Sequence, residues 1–203
     1  MSLYDRYLLP RVTDLVCGTT GIRWLRESTV EGLSGRVLEI GFGSGHNMDV
    51  LPPEVTELGA VEPSDTAWHL ASERIAASPV SVSRVGLDAQ KLDAADDSYD
   101  AALVTFALCT IPDPGAALEE VHRVLKPGGK LHFVEHGRAP DARVARLQRA
   151  AQPVWGAIAG GCHTGRPIDE LVRDAGFELT VKTFYGARPK FAAYFYLGTG
   201  TLV

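Results

Sequence analysis

The sequence predicts an α/β fold built on a doubly wound, mostly parallel sheet, and three observations predict it. From Arg36 onward, short apolar runs alternate with helical patterns, which implies parallel strands joined by crossovers. The first run, Val37 to Ile40, leads straight into three alternating glycines, Gly41, Gly43 and Gly45. Glycine there lets the backbone turn and approach a ligand closely. The second run ends at Glu62, a carboxylate 21 residues beyond Gly41, which is the spacing at which a Rossmann-like sheet holds a ribose diol. The glycines alone also suit a plain strand-to-helix turn without a ligand, and Glu62 argues against that reading.

Taken in order, residues 1–34 form a helical lead-in, one or two helices broken near Cys17-Gly18-Thr19-Thr20-Gly21, where glycines and threonines interrupt the pattern. The sheet domain follows over 35–203. Its first half reads as strand Val37–Ile40, a helix after Gly45, strand Leu58–Glu62, a helix from Ser64 to Ala76, and strand Val80–Val85. Ser64 or Asp65 caps the second helix, whose Ala67, Leu70, Ala71 and Ile75 share one face. Tyr99–Phe106 is a strand, apolar throughout Ala101–Val104 as a central strand covered on both faces should be.

Asp113 and Pro114 then open a helix as N-cap and first residue. Leu118, Val121 and Leu125 give it an apolar face, and Lys126-Pro127-Gly128-Gly129 stops it. Strand Lys130–Val134 ends at Glu135-His136-Gly137, and helices follow from Asp141 to about Gly160 and from Pro167 to Ala175. Glu178–Tyr185 and Phe191–Tyr196, joined by Gly186-Ala187-Arg188-Pro189, suit an antiparallel C-terminal hairpin at a sheet edge. Right-handed crossovers stack the first three strands outward, and the fourth restarts on the other side of the glycine strand. Ligand belongs at that switch point.

At 203 residues, the chain suits one substantial domain, since domains run to ~100–200 residues. Hydrophobic residues at 45% and charged residues at 22% describe an ordinary globular protein and exclude wholesale disorder. A net charge of -5 gives no basic field for a polyanion, so nucleic acid is not expected as a partner. Cys17, Cys109 and Cys162 lie far apart with no CxxC pair, so reduced thiols and no metal are the expectation. The charged, proline-bearing N-terminus lacks a signal-peptide core and no later run suits a membrane span, which points to a cytoplasmic protein. Tyr4, Tyr7, Leu8 and Leu9 either pack on the domain or leave the first helix open to peripheral membrane contact.

The glycine order selects among nucleotide cofactors. A dinucleotide normally uses G-x-G-x-x-G, whereas this chain carries G-x-G-x-G followed by His46 and Asn47. An adenosine cofactor without phosphates fits better. Asp88-Ala89, at the end of the third strand, would set a carboxylate and a backbone N–H against adenine, and Glu62 would take the ribose.

Glu39-Ile40-Gly41-Phe42-Gly43-Ser44-Gly45, Glu62-Pro63-Ser64, Asp88-Ala89 with Leu92, Tyr99-Asp100 and Leu125-Lys126-Pro127-Gly128-Gly129 together resemble a class I S-adenosylmethionine-dependent methyltransferase. The resemblance spans roughly residues 36 to 136. Leu108 to Pro114, Phe133 to His136 and Gly160 to His163 are similar to bacterial relatives of the methyltransferase-like thiol methyltransferases, with the ubiquinone/menaquinone-biosynthesis methyltransferases close by. The apolar anchor of the animal members is not matched.

The resemblance implies that the loop with Gly41, Gly43 and Gly45 approaches the methionine part of S-adenosylmethionine, and it counts Glu39, Asn47, Pro63 and Ser64 among the cofactor-binding residues. It places Glu62 at the ribose, Asp88 and Ala89 at adenine, and Thr105 and Phe106 with Ala107 on the floor. Read without the resemblance, Glu39 also suits a salt-bridge partner and Asp88 a simple turn residue.

Methyl transfer from a sulfonium is governed by alignment, and proximity supplies ~7–11 kcal/mol in well-oriented cases. The implied acceptor is small and apolar, with sulfur first and oxygen or nitrogen next. A thiol of pKa ~8.5 needs little help from a base, whereas an alcohol leans on one. His136, after the fifth strand, is the candidate base, since an imidazole of pKa ~6.5 suits proton removal at neutral pH. It equally suits a hydrogen bond to the loop backbone. Tyr7, Cys109, Cys162, His163 and Arg166 are candidate acceptor-side residues, with Tyr4 and Tyr7 on a lid. A nicotinamide-dependent oxidoreductase and a non-catalytic cofactor-binding interaction protein share the fold and remain as alternatives.

Overall fold

A computed structural model describes residues 3–186 and 188–202. Its sheet has the order β3-β2-β1-β4-β5-β7-β6. The strands are β1 Gly35–Ile40, β2 Val55–Val61, β3 Ser81–Gly86, β4 Tyr99–Thr105, β5 Leu125–His136, β6 Phe177–Tyr185 and β7 Tyr194–Leu202. The first five run parallel, and β7 pairs antiparallel with both β5 and β6. The expected restart between β1 and β4 is therefore present. The hairpin also forms, with β7 inside the sheet and β6 at its edge. Ala187, in the expected turn, lies outside the described residues, as do Met1, Ser2 and Val203.

The helices are α1 Leu9–Cys17, α2 Thr20–Thr29, α3 Asp65–Leu70, α4 Ser72–Ala77, α5 Pro114–Val124, α6 Ala142–Ile158 and α7 Ile168–Asp174. A π-helical turn, Tyr4–Leu8, runs directly into α1, and the break before α2 falls at Gly18-Thr19. One apolar cluster joins Ala117, Leu118 and Val121 of α5 and Ile168 and Val172 of α7 to Leu38, Val104 and Phe133 of the sheet. A second joins Val30, Leu33, Phe42 and Ala71 to Val37, Leu58 and Leu103. Alternate residues of β1 and β4 thus feed opposite clusters, as pleating requires of a strand covered on both faces.

Three expectations change. After Gly45 the chain makes only a 3-10 turn, His46–Asp49. Pro52 lacks an N–H and Pro53 disfavours helical backbone before it, so the turn has no room to grow. Leu125 belongs to β5 rather than to the helix face, and Val124 completes that face. Strand β7 runs on to Leu202, past Gly198 and Gly200. A Cβ at Gly200 would stand 2.9 Å from the Cβ of Phe177, so these glycines mark close strand approach rather than a strand end.

Among the described residues, no helix is long and apolar enough to cross a membrane. On the lead-in, Tyr7, Leu8, Val12, Leu15 and Val16 remain exposed. Other parts of it grip the domain: the Tyr4 hydroxyl donates to the Ile158 carbonyl at 2.6 Å and Thr66 Oγ1 donates to the Arg6 carbonyl at 2.7 Å.

Candidate active site

Gly41, Gly43 and Gly45 all take positive φ, at 74°, 59° and 79°, a region costly for any residue with a Cβ. At Gly41 an added Cβ would also collide with the Cβ of Ala107. At Gly43 it would meet nothing closer than the Gly41 carbonyl at 3.9 Å, so the space above that residue is open. The loop is held from below by Glu62, whose carboxylate accepts from the Gly43 N–H and the Ser64 N–H, both at 2.7 Å. Burial raises the pKa of Glu62, and the two N–H bonds offset this by favouring the charged form. Ser64 in turn caps α3 through the Ala67 N–H at 3.2 Å, while Pro63 is exposed.

Glu39 is buried on β1, and its Oε1 accepts from Asn47 Nδ2 at 2.7 Å. Asn47 Oδ1 and Thr105 Oγ1 both accept from Arg26 Nη1, at 2.8 and 2.9 Å. Glu39 Oε2 and Arg26 Nε are buried without any hydrogen-bond partner, and burial pushes the Glu39 carboxyl up to about 8. Buried polar atoms are normally satisfied, so this pair leaves a donor and an acceptor free for a polar ligand. Asp88 is exposed, and its Oδ1 accepts from the Gln90 N–H and side chain at 2.9 Å. Ala89 beside it is buried.

Beyond the floor, the chain turns sharply at Phe106, which has φ 58°. Its ring lies 5.2 Å from the His136 imidazole, itself 5.0 Å from Phe195. Cys109 Sγ stands 4.0 Å from His136 Nδ1, and Cys162 joins them: one ligand atom from each of the three residues lies within 4.8 Å of the others. The separation of Cys109 and Cys162 in sequence, which argued against metal, is removed by folding. The interaction between the two sulfurs pulls the Cys162 thiol down and pushes Cys109 up.

Arg166 and His163 serve the surrounding loops. The Arg166 guanidinium donates to the carbonyls of Leu108, Ile111 and Pro112, which ties it to backbone. The His163 N–H donates to the Cys109 carbonyl at 2.7 Å, and its side chain is exposed. A cavity of about 310 Å³ opens there, between Gln148, Gln152, His163, Arg166 and Pro167. Tyr7 is half-exposed on the lead-in, with the Arg6 guanidinium over its ring.

Two site residues escaped the sequence reading. Glu135, fully buried at the end of β5, accepts from the N–H groups of Ala107, Leu108 and Cys109 at 2.6, 2.8 and 3.1 Å. Burial raises it to about 7. Arg26 reaches Asn47 and Thr105 from the lead-in, and nothing local to α2 signals that contact.

A doubly wound sheet, a positive-φ glycine loop and a buried carboxylate left open beside it make a site suited to a nucleoside cofactor. Residues 38–133 match the methyltransferase domain family, so this part of the chain is similar to the class I S-adenosylmethionine-dependent methyltransferases. Thiol S-methyltransferase TMT1B of Homo sapiens is 36% identical over 159 residues, covering 72% of this chain and 62% of that protein. The demethylmenaquinone methyltransferase of Clavibacter sepedonicus is 32% identical, covering 55% and 45%. A Thermotoga maritima structure titled SAM-dependent methyltransferase, possible histamine N-methyltransferase, shares the fold at TM-score 0.70 and 24% identity, covering 98% of both chains. The chain spans somewhat under two thirds of the length of the TMT1B relatives it matches. The open Glu39 oxygen and the space over Gly43 fit S-adenosylmethionine, the cofactor that this similarity implies.

Proposed function

We propose that the protein transfers the methyl group of S-adenosylmethionine to the sulfur of a small, apolar thiol. The observation that carries this reading is the corner formed by Cys109, His136 and Cys162, walled by Phe106 and Phe195. It lies at the carboxyl ends of β4 and β5, on the far side of the glycine strand from Glu62. Soft sulfur, imidazole and aromatic rings suit a polarisable apolar acceptor better than a charged amine, which would call for carboxylates. Similarity to the thiol methyltransferases supports the same choice.

In this reading Glu39, Asn47 and the loop Gly41–Gly45 receive the methionine portion, and the Glu39 carboxylate accepts from its ammonium. Glu62 keeps lone pairs for the ribose hydroxyls beyond its two loop bonds, with Pro63 and Ser64 flanking it. Asp88 and Ala89 hold adenine, and Thr105 and Phe106 form the floor. When bound, the cofactor supplies a methyl group on a permanent cation, for displacement by an aligned nucleophile. Phe106 and Phe195 exclude water from that approach, and His136 is the polar group placed to take the thiol proton. Residues 1–34 act as a lid over the S-adenosylmethionine-binding domain at 35–203, with Tyr7 and the Cys162–Arg166 loop bounding the acceptor side.

Isothermal calorimetry with S-adenosylmethionine and its demethylated product tests cofactor binding. Glu62→Ala should weaken it by ~1.5–3 kcal/mol, the worth of hydrogen bonds to a charged group, and unchanged affinity would remove Glu62 from the ribose. A panel of thiols, phenols and amines read by mass spectrometry tests the acceptor. Methylation of phenols or amines with no thiol turnover would sink the sulfur assignment.

A further inference from the structure

The geometry points to Cys109, His136 and Cys162 as the protein ligands of a thiophilic divalent cation of the zinc type, with the acceptor thiol as fourth ligand. This rests on the thiol-acceptor reading above and changes what His136 does within it. The three donor atoms lie within 4.8 Å of one another. Tetrahedral zinc, with Zn–S of ~2.3 Å and Zn–N of ~2.0–2.1 Å, sets its ligand atoms ~3.5–4 Å apart, so closing the site asks only for a small contraction. A Cys2His set leaving one position open is a catalytic zinc set, whereas structural sites use four protein ligands.

The alternative is that the cysteines merely fill space, and three features speak against it. The donors come from three separate segments: the turn after β4, the end of β5 and the loop after α6. Their backbones are fixed by bonds that do not involve the sulfurs. The His163 N–H ties its loop to the Cys109 carbonyl at 2.7 Å, and Gln152 Nε2 donates to the Cys162 carbonyl at 3.0 Å. The buried indole Nε1 of Trp155 is without a close hydrogen-bond partner apart from the Cys162 side chain that it faces. A metal-bound thiolate would strengthen that contact, as outer-sphere donors commonly do.

The charge balance also works. Two thiolates and a neutral imidazole neutralise a divalent cation, so the metal-loaded site carries no net charge until the acceptor thiolate adds one negative charge, opposite in sign to the sulfonium. Binding the acceptor breaks its S–H bond, forms a sulfur–metal bond and releases the proton to solvent, because a coordinating thiol is deprotonated outright. The acceptor is then a thiolate at neutral pH, and His136 holds the cation instead of acting as base. A thiophilic ion also discriminates for sulfur against oxygen acceptors.

Cobalt(II) titration of the reduced, metal-free full chain, followed by absorbance without S-adenosylmethionine, tests the site. One equivalent should give a thiolate-to-cobalt charge-transfer band with intense tetrahedral visible bands, and zinc should displace it. Cys109→Ser combined with Cys162→Ser should abolish the charge-transfer band, and His136→Ala should weaken cobalt binding by on the order of tenfold or more. A small thiol should shift the visible bands of the wild type. Absence of a charge-transfer band in the folded wild type would overturn the site, as would its survival in the double variant. Cobalt binding with no response to thiol would overturn the fourth-ligand role. Equal thiol methylation by metal-free and zinc-loaded protein would overturn the cation's part in the reaction while leaving the methyltransferase reading intact, and failure on every thiol would instead count against that reading.

Discussion

Two buried glutamates, Glu39 on β1 and Glu135 on β5, close the two halves of the site in opposite ways. Both are fully buried, and burial raises both, to about 8 and about 7. Glu135 spends both oxygens on three backbone N–H groups of residues 107–109. Glu39 spends one oxygen on Asn47 and leaves the other bare. The same side chain near the ends of two parallel strands, with β4 between them, is thus a clamp in one half and half-unpartnered in the other. What separates them is whether the chain itself satisfies the carboxylate.

Replacing the clamp has the largest expected effect. Glu135→Ala leaves three buried N–H groups unpaired, each costing ~1–3 kcal/mol, so denaturant unfolding should show a loss of ~3 kcal/mol or more. Wild-type stability would break the comparison, since Glu135 would then be no clamp. Glu39→Gln should instead be tolerated by the fold and resented by the ligand. In the native protein Glu39 titrates near 8 against 4.5 for its ordinary value, so between those values the folded state binds more protons than the unfolded. Its stabilising contribution is complete below about 4.5 and drains away as pH rises to about 8. Unfolding curves at pH 5 and pH 8 should show a smaller fall for Glu39→Gln than for wild type, with weaker cofactor binding at both. An unchanged fall would mean that Glu39 is not the buried acid assigned here.

The smallest effect concerns the helical lead-in, proposed above as a lid. Asp14 Oδ1 accepts from His46 Nε2 at 2.9 Å and also lies 3.5 Å from Arg74. Burial lowers the pKa of His46, so at neutral pH this is a neutral imidazole donating to a carboxylate. Partly exposed pairs of this kind are worth under ~1 kcal/mol. Asp14→Asn should speed cofactor release by a few-fold at most in stopped-flow measurements, and a slower release would place α1 elsewhere in the cycle.

The cofactor half was readable because its signals are local. Gly41 to Gly45, the Glu62 spacing and the Ser64 and Asp113 caps each lie within one turn or one strand end, and all appear where the sequence put them. The acceptor half resisted because its contacts are distant. Glu135 meets residues 26 to 28 positions away, and Cys162 reaches Cys109 only through the crossover and α6. A buried acid in an apolar run gives no sign of which N–H groups it will meet. Nothing in the sequence around Arg166 signals that its guanidinium is bound to the carbonyls of Leu108, Ile111 and Pro112.

The contact between Gly41 and Ala107 has a consequence for anyone wishing to redesign this protein. Their backbones approach so closely that a Cβ on residue 41 would overlap the methyl of residue 107, and the converse holds for any longer side chain at 107 directed the same way. The seam between the two halves is therefore a size-coupled pair. Under the proposed function, variation in acceptor preference has to be written at positions such as 109, 136, 162 or 195, because position 107 has no volume to give without displacing the glycine loop.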